Sequence, residues 1–434
     1  MPNPARIYAI EILKEVDKGQ SDLTDLLNDR EKDLKDPRDA GLMRALVYGT
    51  LEHLFHLDHI INRLSKKPIA SQKPIVRAIV RQGAFELWFL HTPSHAAIHE
   101  AVELAKIKAP YARAYVNGLF RTMVRKGSEI LTVNTGDPLE DLSILSSHPR
   151  WVIDLLLASY RLDEVKEILK RNNQPAPLVL FVCPPFSREE AKKTLEKEGI
   201  LGITLSRLES HSLLTQGGPI TESRLFQEGK ITIASQPSAL AGGFAVEGLG
   251  KDARILDLCA APGSKTAVMS LLSEAKIFAN DKSEEKMIRL KENIQRLHLH
   301  TIDLFHLDGT IQKPEWIESF DLVLLDAPCS GLGLMGRKPD IRYHRKPADL
   351  LDLQVLQKQL LKNAQSYVRP GGRLVYSTCT YGKRENEEVI QTLPPSFQKE
   401  PLQEGLFKGK NQIHFSPLLE GSDGFFVSRF RKDQ

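Results

Sequence analysis

The stretch Ala253-Arg-Ile-Leu-Asp-Leu-Cys-Ala-Ala-Pro-Gly-Ser-Lys265 joins a short apolar run to a turn of small residues, and a helical pattern begins where that turn ends. The same alternation recurs toward the carboxyl terminus. The apolar runs cover residues 253–258, 276–280, 301–307, 320–326 and 372–378, and the helical patterns lie near 265–273, 284–297, 349–368 and 384–393. This order predicts an α/β domain with a mostly parallel, doubly wound sheet, which we assign to residues 238–434.

Polar and thiol side chains follow every predicted strand of this sheet. They lie at 257–265, at Asp281, at Asp308, at 326–329 and at 377–379. Ligands of doubly wound sheets bind beyond the carboxyl ends of the strands, where the strand order reverses. We therefore expect these residues to surround one ligand site.

The turn at 259–265 is compatible with several ligands, because it brings backbone N–H groups and a helix start close to whatever is bound. A nucleoside-triphosphate loop is disfavoured, since Cys259 and Ser264 occupy the positions of its two glycines. A dinucleotide site is possible because Asp281 lies about 20 residues past the turn, yet the three-glycine pattern is missing. A nucleoside ligand without a pyrophosphate, such as S-adenosylmethionine, fits the turn, Asp281 and Asp308 better.

Two cysteines at neighbouring strand exits, Cys329 after Asp326-Ala-Pro and Cys379 after Ser377-Thr, indicate a particular reaction. Carbon 5 of cytosine accepts a methyl group once a thiolate has added to carbon 6, and a second thiol can then take the proton from carbon 5. Asp326 can hydrogen-bond N3 and the 4-amino group of the base. The chemistry alone leaves open which cysteine attacks, and the Pro-Cys turn favours Cys329.

The other two cysteines have a plainer interpretation. Unpaired cysteines are often small, buried core residues, and we assign that role to Cys183. Cys259 is interpreted as a small residue that lines the turn, with a backbone contact to the cofactor. The chain contains no C-x-x-C pair, so neither a zinc site nor a disulfide framework is expected, and no metal ligand is assigned.

Bulk properties favour a soluble protein with several domains. The chain has 434 residues, 41% of them hydrophobic, and a formal net charge of +4. No apolar run approaches the ~18 residues of a membrane span, and the amino terminus lacks a basic region followed by an apolar stretch. We expect a cytoplasmic monomer without a membrane anchor, which holds any nucleic acid through local basic patches.

The amino-terminal part is predicted to be all helical over residues 1–130, because apolar residues recur at helical spacing. Two stretches within it contain basic residues and no acid. Their basic residues are Arg63, Lys66, Lys67, Lys73, Arg77 and Arg81 in the first, and Lys106, Lys108, Arg113, Arg121, Arg125 and Lys126 in the second. They can bind a phosphate backbone, although a solvated helix face has the same composition. A linker over 127–148 and a small α/β module over 145–237 are expected to follow.

Residues 331–346 combine a glycine-rich stretch with a cluster of cations. We expect this loop to grip a nucleic-acid strand, with Tyr343 or His344 available for stacking, although a plain surface loop is the alternative. Because methylation of C5 inside a helix requires an unstacked base, the expected target is a cytosine in a loop or a single-stranded region.

Four motifs resemble the RNA m5C methyltransferase family. They are 257–266, 326–333, 338–342, and 376–380 followed by Glu385-Asn386-Glu387. The helical domain, through residues 44–51 and 115–120, resembles the NusB-like domain that is fused to bacterial family members acting on 16S ribosomal RNA. The resemblance thus implies a Rossmann-like class I methyltransferase domain with S-adenosyl-L-methionine as cofactor and RNA as partner.

The resemblance also implies roles for individual residues. It places at the cofactor Cys259, Ala260, Ala261, Pro262, Gly263, Ser264, Lys265, Asp281, Asp308 and Asp326. It assigns the attack on C6 to Cys379 and the release of the product to Cys329, with Asp326 as a third catalytic residue. It implies that the target is cytosine 967 of 16S ribosomal RNA.

Two positions depart from the family pattern. Ser264 replaces the usual second glycine of the turn, which is tolerated if its φ is negative. Residues 233–239 replace a motif that normally reads Gln-Asp-Glu-Ala-Ser, and we assign no site residue there. Two alternative functions stay open: an m5C methyltransferase acting on transfer RNA, and a non-catalytic RNA-binding factor in ribosome assembly.

Overall fold

The computed structural model describes residues 3–19 and 22–434, so that Met1, Pro2, Gln20 and Ser21 lie outside the described residues. The chain forms two compact units. One contains the chain up to Asn173 together with Lys338–His344, and the other contains Gln174–Arg337 together with Arg345–Gln434. Within the described ranges, no helix is both long and apolar enough to cross a membrane.

The first unit is helical, and the predicted fold class of this part is confirmed. Its main helices are α1 (Pro4–Val16), α2 (Leu23–Glu31), α3 (Pro37–Glu52), α4 (Leu54–Leu64), α5 (Pro74–Trp88), α6 (Ser94–Lys108), α7 (Arg113–Lys126), α8 (Pro138–Ser146), α9 (Arg150–Leu157) and α10 (Leu162–Asn172). The side chains of Asn3, Asp22 and Asp36 accept hydrogen bonds from the first turns of α1, α2 and α3. These caps satisfy backbone donors that a helix start leaves free.

The segment 127–148 differs from the expected linker, because most of its second half is α8. Asp137 caps this helix by accepting hydrogen bonds from the backbone of Leu139 and Glu140. The helical unit continues through α9 and α10 to Asn173, whereas the sequence analysis placed these helices in the middle module. The apolar period of a helix predicts the helix but not the unit against which it packs, which is why this boundary was not visible in the sequence.

The second unit begins with a small α/β module around a four-stranded antiparallel sheet. Its strands are β1 (Leu178–Val182), β2 (Thr204–Leu205), β3 (Ser212–Thr215) and β4 (Ile231–Ile233), arranged in the order β2-β3-β1-β4. The helices α11 (Arg188–Lys197) and α12 (Arg224–Gln227) accompany it. The backbone of Ala234 donates a hydrogen bond to the carbonyl of Val179, which continues the pairing of β1 and β4 toward the next domain.

A larger sheet forms the rest of this unit. Its strands are β5 (Arg254–Asp257), β6 (Lys276–Asn280), β7 (Ile302–Phe305), β8 (Phe320–Asp326), β9 (Val368–Thr378), β10 (Phe397–Lys399), β11 (Gln412–Phe415) and β12 (Phe425–Lys432). The strand order is β10-β12-β9-β8-β5-β6-β7, and β11 pairs with β12. Strands β5 to β9 are parallel, which confirms the predicted sheet, whereas the antiparallel strands β10 to β12 were not predicted.

The helices of this domain are α13 (Gln236–Val246), α14 (Ser264–Leu272), α15 (Glu284–Arg296), α17 (Asp349–Tyr367) and α18 (Glu387–Ile390), while the short α16 (Ile341–His344) belongs to the helical unit. The chain goes from β5 to β6 on one side and returns to β8 on the other, so the strand order reverses at β5. The register pairs Asp257 with Leu324 and Asp326 with Ser377. These pairings bring the ends of β5, β8 and β9 to one edge.

Candidate active site

A cavity of about 350 Å³ lies at the carboxyl edge of β5, β8 and β9. Its walls include the turn 259–265 together with Asp257, Asp326 and Cys379. The remaining lining residues are Leu178, Val179, Ile233, Ala234, Ser235, Ser238, Leu334, Arg337, Asp423 and Phe425. The structure therefore brings most of the predicted site residues together at the point where doubly wound sheets bind their ligands.

The turn after β5 is shaped by one glycine. Gly263 has a φ of +107°, and a Cβ there would lie 2.3 Å from Cδ1 of Leu290, so both the backbone conformation and the space require glycine. Ser264 is the first residue of α14 and is not among the residues with positive φ. The condition for accepting serine at this position is therefore met. The backbone of Ala261 donates a hydrogen bond of 3.0 Å to Oδ2 of Asp281.

Asp326 lies at the end of β8, and both of its carboxylate oxygens have partners. The Ser377 hydroxyl donates to Oδ1 at 2.7 Å, and the Lys265 ammonium donates to Oδ2 at 2.6 Å. Lys265 is 9% exposed, and its Nζ lies 5.1 Å from the centre of the Phe425 ring. The negative charge of Asp326 and the proximity of Cys379 raise the pKa of Lys265 in spite of burial, which acts in the opposite direction. This ammonium therefore stays charged next to Cys379.

The sulfur atoms of Cys329 and Cys379 are 3.0 Å apart. The hydrogen bond with Cys379 and burial raise the pKa of the Cys329 thiol well above its ordinary value, and the negative charges of Glu385 and Asp326 act in the same direction. A thiol with a raised pKa keeps its proton at neutral pH, and its thiolate is a strong base. The two sulfur atoms are therefore close enough to act on neighbouring atoms of one ligand.

The other cysteines differ from this pair. Burial raises the pKa of Cys183 to about 12 and that of Cys259 well above its ordinary value. Neither thiol has a thiol partner among the residues that the structure describes. Both observations agree with the interpretation of Cys183 as a core residue and of Cys259 as a residue that lines the turn.

Asp257 contributes a buried carboxylate to the cavity wall. Thr266 donates a hydrogen bond of 2.7 Å to Oδ2, whereas Oδ1 has no hydrogen-bond partner in the described part of the chain. Burial raises the pKa of this carboxyl to about 7, against the influence of the Thr266 hydrogen bond. A buried acceptor without a partner favours a ligand that can donate to it.

Asp281 and Asp308 follow β6 and β7 but do not line this cavity. Both oxygens of Asp281 accept backbone hydrogen bonds, from Ala261 and from Ser283. Asp308 accepts from Lys282 at 2.6 Å and from Thr310, and these hydrogen bonds lower the pKa of Asp308 to about 2. Asp281 thus holds the backbone of the turn through Ala261. Asp308 follows β7.

Comparisons with known proteins agree over nearly the whole chain. A model described as 16S rRNA methyltransferase RsmB/F matches residues 248–431, and a NusB family model matches residues 3–125. The chain is 32% identical over 449 residues to the probable ribosomal RNA small subunit methyltransferase B of Bacillus subtilis, with 98% of each chain covered. The chain belongs to the RsmB/F family of 16S rRNA methyltransferases.

Two further comparisons extend this result. Ribosomal RNA small subunit methyltransferase B of Erwinia tasmaniensis is 32% identical to the chain, with 100% of this chain and 99% of the relative covered. The crystal structure of PH0851 matches with a TM-score of 0.82 and 25% sequence identity, covering 100% of this chain and 99% of that chain. The match to the NusB family confirms the predicted nature of the helical domain.

As an RsmB/F methyltransferase, the protein acts on RNA and uses S-adenosyl-L-methionine. The cavity fits this cofactor in its chemistry. The unpartnered oxygen of Asp257 suits an ammonium donor, and Leu178, Val179 and Phe425 give the wall an apolar part. The positive φ of Gly263 requires glycine, so the turn has no side chain at the residue before α14.

Several lining residues were missed in the sequence analysis of this RsmB/F methyltransferase. Ile233, Ala234, Ser235 and Ser238 line the cavity, although their segment departs from the family motif and was assigned no role. Their position directly after a predicted module and before the catalytic domain was the available signal. Asp423 was missed because the antiparallel strands at the carboxyl terminus were not predicted.

The expected role of Tyr343 and His344 in base stacking is wrong for this RsmB/F methyltransferase. The Tyr343 hydroxyl donates a hydrogen bond to the carbonyl of Leu51, and its ring contacts Phe55 edge to face. Nε2 of His344 lies 2.7 Å from the carbonyl of Val16. Both rings therefore belong to the packing of the helical unit, because burial of aromatic surface outweighs exposure in a loop.

The glycine-rich part of the same loop is also packed rather than free. A Cβ on Gly333 would lie 1.9 Å from the carbonyl oxygen of Gly424, and the Gly333 backbone donates to the carbonyl of Cys379 at 3.0 Å. Arg337 forms an ion pair with Asp423. The glycines thus permit a close approach of two chain segments beside the thiols.

Proposed function

We propose that the protein methylates C5 of cytosine 967 in 16S ribosomal RNA through a covalent bond between Cys379 and C6 of the base. The observation that carries this proposal is the distance of 3.0 Å between the sulfur atoms of Cys329 and Cys379. Two thiols at this distance can act in turn on C6 and C5 of one pyrimidine, since these carbons are neighbours.

The residues divide the reaction between them. The Cys379 thiolate adds to C6. Bound S-adenosyl-L-methionine supplies the methyl group to C5. Cys329 first gives its own proton to solvent, and its thiolate then takes the proton from C5; the electron pair of that C–H bond restores the double bond between C5 and C6 and expels the Cys379 thiolate. The net products include one proton, which passes to solvent.

We propose that Asp326 distinguishes cytosine from uracil. Its two oxygens already accept from Ser377 and Lys265, and a carboxylate offers further acceptor positions for the 4-amino group of cytosine. The two existing hydrogen bonds hold the carboxylate rigidly. Uracil has no amino group in this place, so a fixed acceptor discriminates against it.

The cofactor is proposed to lie along the turn 259–265, with Asp257 as acceptor for its ammonium group. This proposal is supported by the position of the turn in the cavity and by the unpartnered oxygen of Asp257. Asp281 is proposed to hold the turn and the ribose end, and Asp308 the far end of the nucleoside. These two assignments come from the family resemblance, since neither residue lines the cavity described above.

The helical unit is proposed to bind the phosphate backbone through part of its basic stretches. Arg77 and Arg81 form ion pairs with Asp17 and Asp58, and Lys108 pairs with Glu11. These cations serve packing rather than RNA. The exposed cations of these stretches for which the structure gives no acidic partner within the described residues are Arg63, Lys66, Lys67, Lys73, Arg113, Arg121, Arg125 and Lys126.

A groove of about 390 Å³ joins the two basic stretches within the helical unit. Its lining includes Lys66 and Lys67 together with Tyr115, Gly118 and Thr122 of α7. A groove with lysines on its rim and an aromatic ring in its wall fits a single strand or loop of RNA. We propose that the target cytosine is unstacked and that the enzyme works as a cytoplasmic monomer.

The cysteine assignment predicts opposite behaviour for two variants. Cys329→Ala should form the covalent adduct with unmethylated small-subunit RNA and fail to release it, because the bond to C6 forms before the proton leaves C5. Cys379→Ala should form no adduct, since it lacks the attacking sulfur. Denaturing electrophoresis with labelled RNA measures both. Trapping by Cys379→Ala and not by Cys329→Ala would reverse the roles.

The target is tested separately by bisulfite mapping of ribosomal RNA from cells that lack the protein. We expect the loss of one 5-methylcytosine, at position 967. An unchanged map of small-subunit RNA, with a loss in transfer RNA instead, would assign the same chemistry to the alternative substrate.

A further inference from the structure

The two cysteine turns are joined by a buried carboxylate that no step of the reaction uses. Glu385 is 1% exposed. Its Oε1 accepts hydrogen bonds from the backbone of Ser330 at 2.8 Å and from the Gln357 amide at 3.0 Å. Its Oε2 accepts from the hydroxyl of Ser330 at 2.6 Å and from that of Thr380 at 3.3 Å. One side chain thus contacts the residue that follows each cysteine.

The local fold holds Glu385 in this position from several sides. The Tyr376 hydroxyl donates to the backbone carbonyl of Glu385 at 2.6 Å. The next residue, Asn386, accepts from the Thr378 hydroxyl at 2.5 Å and donates to the carbonyl of Thr380 at 3.4 Å. The segment after β9 therefore folds back on the end of its own strand, and the carboxylate projects from a rigid support.

The two cysteines depend on this support to different degrees. Cys379 directly follows Thr378, which is paired with Phe426 of β12, so the sheet itself positions the first sulfur. Cys329 lies beyond Asp326, the last residue of β8 in the register with β9. Cys379 is therefore adjacent in the chain to a residue paired in the sheet, whereas Cys329 is three positions beyond one.

On both sides of Cys329, hydrogen bonds from or to side chains hold the backbone where the hydrogen bonds between strands have ended. The carbonyl of Pro328 accepts a hydrogen bond from the Gln357 amide at 3.0 Å, and Ser330 makes two hydrogen bonds to Glu385. Gln357 also donates to Glu385, so the three contacts form one connected network. Loss of the carboxylate would remove two of the hydrogen bonds that hold Ser330 and would leave its hydroxyl contact with Thr380 at 2.6 Å and the bond from Arg345 to its carbonyl. The hydrogen bond between Thr378 and Asn386 would still hold the other turn.

We propose that Glu385 is a positioning residue that holds Cys329 in place for the removal of the C5 proton. The inference rests on the proposed function, in which Cys379 forms the adduct and Cys329 resolves it. The step it supports breaks the C5–H bond in favour of Cys329 Sγ and breaks the S–C6 bond in favour of Cys379 Sγ. A shift of Cys329 by about 1 Å can slow such a transfer by roughly 100-fold.

The test separates the formation of the adduct from its resolution in a single turnover with the full-length protein, S-adenosyl-L-methionine and unmethylated small-subunit RNA. Glu385→Ala should slow resolution by roughly 10- to 100-fold and slow formation much less, so that the adduct accumulates. Glu385→Gln keeps the shape and an acceptor for the Ser330 backbone, and it should restore most of the resolution rate. Ser330→Ala removes one of the hydrogen bonds and should give an intermediate lifetime.

Controls distinguish positioning from general stability. Glu209 is another buried carboxylate, which accepts from His211 and Ser212 in the middle module, and Glu209→Ala should lower the melting temperature without prolonging the adduct. If Glu385→Ala does not fold, Ser330→Ala and Glu385→Gln decide the question. Equal slowing of formation and resolution, or an unchanged adduct lifetime in the folded variants, would overturn the inference.

Cys329→Ala run in parallel identifies which proposal has failed. Accumulation of adduct by Cys329→Ala but not by the Glu385 and Ser330 variants would contradict only the role of Glu385. An absence of adduct in Cys329→Ala would contradict the cysteine roles and the inference that rests on them.

Discussion

Asp257 illustrates how burial of a charged group affects stability. Its carboxylate is enclosed at the end of β5, with one oxygen bound to Thr266 and the other without a partner in the described residues. Burial of a carboxylate disfavours its charged form, which is why its pKa rises to about 7. Burial of a neutral side chain of the same shape would cost less free energy, but that side chain would bind an ammonium group more weakly.

Asp257→Asn should therefore change how stability depends on pH. The folded-state pKa of Asp257, about 7, lies above the ordinary 3.8, so the folded protein binds this proton more tightly than the unfolded chain does. The free energy of unfolding should fall as pH rises from about 4 to 7 and level off above it. The variant should gain up to about 4 kcal/mol relative to the wild type over that range. Urea unfolding across this pH range measures it, and parallel curves would contradict it.

Helix α3 shows how tightly the helical unit is packed at the level of an element. Gly49 faces α5, and a Cβ there would lie 2.0 Å from Cζ of Phe85. The Phe85 ring is itself buried and lies beside His53 and Phe89. Gly41, in the same helix, has nothing within 4 Å of such a Cβ. One glycine of α3 thus serves the approach of two helices, and the other does not.

The two glycines predict opposite effects of the same substitution. Gly49→Ala should destabilise the protein by about 1–3 kcal/mol, because the added methyl group overpacks the contact with Phe85. Gly41→Ala should stabilise it by about 0.5–1 kcal/mol, since alanine costs less backbone entropy in a helix. Denaturant unfolding of both variants measures the difference. Equal changes in the free energy of unfolding for the two variants would contradict this prediction and would show that α3 and α5 can move apart without loss of stability.

At the scale of the whole molecule, the weak net charge of +4 hides a division between paired and unpaired cations. In the helical unit, Arg81 and Lys108 are neutralised by Asp58 and Glu11. Lys66 and Lys67 are exposed on the groove. Affinity for RNA should therefore depend on a small number of residues rather than on total charge.

The double variant Lys66→Ala with Lys67→Ala should weaken RNA binding and reduce its salt dependence. The slope of log affinity against log salt should fall by about 1.4 to 1.8, because each lost phosphate contact removes about 0.7 to 0.9. Lys108→Ala is the matched control, and it should leave the slope nearly unchanged. Filter binding or fluorescence titration at several salt concentrations measures the slopes. Equal slopes for the double variant and the wild type would exclude the groove from the RNA interface.

Much of the architecture was predictable because it depends on patterns over short stretches of chain. The parallel strands β5 to β9 are apolar runs of the right length between turns, and β8 shows this most clearly with four consecutive buried residues at 322–325. Gly263 and the two cysteines lie at strand exits that are visible in the sequence. The helical nature of the first domain follows from its apolar period in the same way.

Only the tertiary structure decided how distant residues meet. The distance of 3.0 Å between Cys329 and Cys379 and the buried hydrogen bonds of Glu385 join residues that are far apart in sequence. Tyr343 and His344 lie in a loop that reads as exposed, yet their rings pack within the helical unit. The sequence by itself determined the parallel strands β5 to β9, the turns that follow them and the thiols at their exits, because these depend on local preferences. Which side chains are buried, paired or close enough to react was decided by long-range packing, which local patterns do not encode.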